Sequence, residues 1–171
     1  MAVSREIFAT WRAPRTVMRR QLAGGQREER ALVYLMAACL MIFVSTLPGL
    51  ARDAYLDPSV PLEARIGGAL VAWMFLAPLI FYVLAAVGHL LARLFGGRGT
   101  WFGARLALFW TLLAVSPLWL LQGLVAGLIG PGAALALVSS VLAVAFLAIW
   151  LLSLAEAEEF GLRQEPGKTP R

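Results

Sequence analysis

The sequence predicts an all-α, polytopic membrane protein: a four-transmembrane-helix bundle with an N-terminal amphipathic interfacial segment. Three observations carry this. Hydrophobic residues make up 60% of the 171-residue chain and charged residues only 15%, whereas a soluble domain carries about 25% charged residues. Uncharged apolar runs recur at the length of a bilayer crossing, about 20 residues at 1.5 Å each. Arginines gather in the segments between alternate runs, as in membrane proteins whose cytoplasmic loops collect positive charge. On this reading the net charge of +5 marks topology and gives no sign of nucleic acid.

Residues 1–30 form a basic segment. Ile7, Phe8 and Trp11 share one helical face, as do Pro14, Val17, Met18 and Leu22, with Arg12, Arg15, Arg19 and Arg20 interleaved. The pattern predicts one amphipathic helix, or two broken at Pro14, lying on an anionic leaflet. Span one follows at residues 31–50, "ALVYLMAACLMIFVSTLPGL". It is too long and begins too late for a signal peptide, so it reads as a retained span. Span two is expected at 66–88, kinked near Pro78. Spans three and four are expected at 106–130 and 133–155, joined by the turn "GPG" into a tight hairpin. The transmembrane domain is thus 31–155. The tail, 156–171, extends span four by a turn or two through Glu159, and order is expected to end at Gly161 and Pro166. Lys and Arg counts then place 13 cations on the side of the two termini and 2 on the other. Both termini are expected in the cytoplasm, with the protein in a bacterial inner membrane.

Between spans two and three lies "HLLARLFGGRGTWFGARLAL", His89 to Leu108. Its glycines suggest either a phosphate-binding loop or a bend. A P-loop requires a lysine at fixed spacing, a preceding strand and a following helix. The lysine is missing and the preceding element is a membrane helix. The stretch reads as a tight bend whose Arg98, Trp101 and Arg105 suit lipid headgroups or a partner protein.

"GHLLARLFGGRGTWFGARLALFW", followed by Pro117, resembles the corresponding bend in bacterial members of the Yip family, the Rab-GTPase-interacting Yip domain superfamily. "WRAPRTVMRRQLAGGQREERALVYLMAACL" resembles the opening of such proteins. The likeness covers roughly residues 10–155. It implies a polytopic membrane protein, usually with five spans where four are counted here, and it transfers no catalytic residues. With thirty residues ahead of span one and no Asp-Leu-Tyr-Gly-Pro-like motif, the vesicle-trafficking role of eukaryotic members is not what it implies for this chain.

No Asp, Glu, Lys or Arg interrupts the four apolar cores, although such residues mark transport and catalysis within membranes. His89 is the only histidine and Cys39 the only cysteine, which leaves no multi-His metal set and no intrachain disulfide. Ser116, Ser139 and Ser140 could serve a serine hydrolase in type only; such serines more often bond their own helix. No cofactor, metal or catalytic residue is assigned. Gln122 and the G-x-x-x-G of Gly123 and Gly127 are candidate helix-packing positions, first within the monomer and second between copies. The expected function is that of a non-enzymatic membrane protein of the Yip type. It would associate with other membrane proteins or with itself, on anionic lipid. The alternative is a small permease or channel for a neutral solute, built by oligomerisation around Gln122.

Overall fold

The computed structural model describes residues 3–163, and side chains from Ser4 to Glu159. Every regular element among them is helical. Helices α1 (Val3–Arg12) and α2 (Pro14–Ala23) are separate because Pro14 fixes the first turn of α2 and forces Ala13 out of the helical region. Gly25, at φ +84°, turns the chain into α3 (Glu28–Leu56), which has two glutamates in its first turn. The turn after α3 is tied by Asp57, whose Oδ1 accepts the Ser59 N–H at 3.0 Å and which pairs with Arg65. The Ser59 hydrogen bonds, then Arg65, hold its carboxyl below the usual range.

Helix α4 (Leu62–Val71) runs through one π-helical turn (Ala72–Leu76) into α5 (Ala77–Leu94). Pro78 has no N–H to give to the preceding turn, and the Ala77 N–H reaches back five residues to the Ala72 carbonyl. Gly96, at φ +88°, ends α5. Thr100 caps α6 (Trp101–Ala114), its Oγ1 accepting the Gly103 N–H at 3.1 Å. Pro117 breaks the next helix from it. α7 (Ser116–Leu128) continues at 47° to α6. Gly130, at φ +88°, opens the turn into α8 (Ala133–Arg163).

Among the described residues three helices are long and apolar enough to cross a membrane on their own: α3, α4–α5 and α8. The bent pair α6–α7 makes a fourth if taken as one span. The chain is therefore an all-α, multi-pass membrane protein. The regular elements overrun the apolar runs. α3 starts three residues before Ala31 and reaches Leu56, and α8 continues to Arg163. Pro166 and the residues around it lie outside the described residues.

Neighbouring pairs fix the directions. Arg105 meets Glu28, Trp110 meets Tyr34, and Gly123 and Gly127 lie against Ser45 and Pro48. These pairs run in the same order, so α3 and α6–α7 are parallel. Tyr82 against Phe109 and His89 against Trp101 make α5 antiparallel to α6. One end of the bundle therefore gathers α2, the 95–100 bend and the last turns of α8. It carries most of the arginines and is called the basic end below.

The core is built on α6. Twelve of its fourteen residues are buried, enclosed by α1, α3, α5 and α8. The amphipathic N-terminal helices belong to this enclosure. Val17, Met18 and Leu22 of α2 are buried in the same core as α6, so their apolar side faces protein rather than lipid. Phe8 remains exposed. At the other end the α7 backbone approaches α3 so closely that a Cβ at Gly123 would overlap the Ser45 carbonyl.

That contact generates a comparison. Gly123→Ala should cost about 1–3 kcal/mol through overpacking. Gly68→Ala, where a Cβ meets nothing within 4 Å, should be neutral or stabilising by up to about 1 kcal/mol. Thermal unfolding in detergent micelles measures both, and equal tolerance at the two glycines would contradict the α3–α7 packing.

Candidate functional site

Two carboxylates near the end of α8 organise the basic end. Glu158 lies between α5 and the bend. His89 Nδ1 is 2.8 Å from its Oε1, placed for an imidazole N–H to donate to the carboxylate, and the Gly99 N–H donates to Oε2 at 2.6 Å. His89 is 1% exposed, and its ring lies 4.5 Å from that of Trp101, the two tilted by 55°. The bend's glycines are explained by this junction. A Cβ at Gly97 would press on Glu158 Oε2 and the Ala92 carbonyl, and one at Gly99 on the α8 backbone. The glycine amide that the sequence offered as a possible phosphate donor holds the chain's own Glu158.

Glu156, two residues back and also buried, receives Arg19 from α2. The Arg19 Nε–H donates to its Oε1 at 2.7 Å. This hydrogen bond and the charge of Glu156 keep the guanidinium above its usual pKa. Glu156 Oε2 and the hydroxyl of buried Ser153 find no partner among the described residues. A buried charge removed from water is tolerated only with close pairing, so Arg19 ties α2 to α8.

A second junction joins α1 to α6. The Trp11 indole N–H donates to the Ala114 carbonyl at 3.0 Å, and the Trp110 indole N–H donates to Thr10 Oγ1 at 3.0 Å. Ala114 is the last residue of α6. Its carbonyl would accept from Leu118, but past the Ser116–Pro117 break the Leu118 N–H turns to Val115 instead.

The residues singled out from sequence divide accordingly. Trp11, Arg19, Trp101 and Arg105 make contacts inside the protein. Arg105 Nη2–H donates to Glu28 Oε1 at 2.6 Å and the guanidinium lies over Tyr82. Arg20 is 4.0 Å from Glu6. Arg12, Arg15 and Arg98 are exposed and make no ion pair or side-chain hydrogen bond among the described residues. Gly123 and Gly127 pack on α3. Gln122 is half-buried and makes no side-chain hydrogen bond among the described residues. Among those residues no group of three His, Cys, Asp or Glu side chains is arranged to hold a metal. Sequence reasoning missed Glu156, Glu158, Thr10 and Ser153. The usable signal was two carboxylates directly after an uncharged run, in a chain with a single histidine near another run's end.

Glu158→Ala strips an acceptor from the buried His89 and the half-buried Gly99 N–H and should cost about 1–3 kcal/mol. Combined with His89→Ala, the losses should fall short of the sum, with a coupling of about 0.5–3 kcal/mol. Thermal unfolding of the two single variants and the double variant gives the cycle. Strict additivity would show that the pair is not formed.

Neither the curated proteins nor the solved structures contain a match. The profile of the Yip1 domain, in contrast, matches residues 8–165. That stretch runs from the α1 residues keyed into α6, through every apolar helix and both carboxylate junctions, to just past the end of α8. The chain belongs to the Yip1 domain family.

Proposed function

We propose that this Yip1-domain protein is a non-enzymatic membrane scaffold that binds another membrane protein through the outer face of α4–α5. The basic end would face the cytoplasm of a bacterial inner membrane, with Arg98 of the bend toward anionic lipid. The exposure of α4–α5 carries this reading. Only 6% of its apolar stretch is buried inside the protein, the lowest share of the three long helices, against 11% for α8 and 33% for α3. Gly67 and Gly68 sit on this helix with open space around them. Small residues in membrane helices admit close backbone approach by a neighbour, and here the monomer supplies no neighbour. One π-turn further on, Trp73, Leu76, Ile80 and Phe81 border an apolar depression of about 260 Å³. Single π-turns frequently mark functional positions in helices. Family membership supports a membrane protein of the Yip type, and association with a neighbour is the role we propose for it.

The test uses photo-crosslinking residues placed at Ile80 and, as a control on another lipid-facing helix, at Leu147, in intact membranes. Discrete protein adducts are expected from Ile80 and not from Leu147, and Gly68→Leu should diminish them several-fold without lowering the unfolding temperature. An adduct of twice the monomer mass would identify the partner as a second copy. Absence of adducts at Ile80, or the same adducts from both positions, would refute the proposal.

A further inference from the structure

α5 and α8 touch at Gly88, where a Cβ would stand 3.0 Å from the Trp150 ring, and part toward the basic end. The gap is a cleft of about 470 Å³, within the size range of small-molecule sites. Its walls are Leu91 and Ala92 of α5 and Leu151, Leu154 and Ala155 of α8, with Phe95 at the mouth. Facing alanines leave the space, and neither helix fills it with a large side chain. Leu90, Leu91, Leu94 and Phe95 are all more than half exposed, so in a membrane the cleft opens sideways into acyl chains.

The floor at the basic end is Gly97 and Glu158. Both oxygens of Glu158 are already taken, by His89 and by the Gly99 N–H. Next to Gly97 stands Arg98, and next to Ala92 stands Arg93. Both are exposed, and neither has a carboxylate partner among the described residues. The residues that follow Ala92 in the wall and Gly97 in the floor are thus exposed arginines, each long enough to reach over the end of the slot. Arginine matches phosphate geometry by bidentate donation. A cation near an anionic membrane surface adds about 1 kcal/mol of attraction.

We propose that the α5–α8 cleft binds one anionic glycerophospholipid, with an acyl chain between Ala92 and Ala155 and the headgroup phosphate at Arg93 and Arg98. The site is distinct from the depression at the π-turn and does not depend on protein partners.

Native mass spectrometry of the full chain, delipidated and then given phosphatidylglycerol or phosphatidylcholine of matched acyl chains, tests it. One retained phosphatidylglycerol per chain is expected, preferred roughly tenfold or more over phosphatidylcholine. Ala92→Phe with Ala155→Phe should fill the cleft and abolish retention of both lipids. Arg93→Gln with Arg98→Gln, at exposed positions that leave packing intact, should erase the preference while phosphatidylcholine retention stays unchanged. Equal retention of the two lipids by the native protein would overturn the proposal. So would an anionic preference that survives loss of both arginines, or retention unaffected in a folded cleft-filled variant.

Discussion

An α-helix broken inside an apolar environment leaves carbonyl groups that water cannot reach, and this constraint organises the two N-terminal helices. Pro117 breaks the third span, and the Ala114 carbonyl at the break accepts the indole N–H of Trp11. The reciprocal bond, Trp110 to Thr10, fixes α1 along α6 at two neighbouring points. With α1 held there, Pro14 sends α2 across to α8, where Val17 and Met18 are buried and Arg19 meets Glu156. α1 thereby covers α6, and α2 covers α8. A segment whose composition suggests a surface arm is instead a structural wall.

The basic end follows the same logic with charge in place of backbone. Two carboxylates at the end of an apolar helix would be expensive to bury alone. Each is matched by a group from far along the chain: Arg19 for Glu156, His89 and the Gly99 amide for Glu158. The glycine-rich bend can close over α8 because Gly97 and Gly99 lack the Cβ atoms that would strike it. Charge pairing therefore positions three elements at once, α2, α5 and the bend, and leaves Arg93 and Arg98 without a carboxylate partner among the described residues.

The helical bundle was legible in the sequence because its signals are local. Uncharged runs marked α3, α5 and α8 and one span that the structure divides into α6 and α7, "GPG" marked the last turn, and Pro14 marked the place where one N-terminal helix could become two. Amphipathic periodicity also showed which side of the N-terminal helices is apolar. It could not say whether that side meets lipid or protein, since both are apolar solvents for Val17 and Leu22. Pro78 marked the irregularity in the second span, yet the irregularity took the form of a π-turn just before it. The carboxylate junctions were not legible, because Glu158 and its partners His89 and Gly99 are 69 and 59 residues apart. Glu156 and Arg19 are separated by 137. Pairings at such distances depend on the helix directions, and these emerge only once α6 is enclosed.

The claim that α1 and α2 are built into the bundle can be measured as a distance between spin labels. One label replaces Arg12, at the exposed end of α1. The other replaces Leu152 on the outer face of α8. Cys39, buried in α3, is changed to Ala to free the background. Double electron–electron resonance in lipid nanodiscs should give one narrow distance distribution, unchanged when anionic lipid is replaced by neutral lipid. A broad distribution, or one that shifts with lipid charge, would mean that the segment is an arm held by the leaflet and would contradict the account.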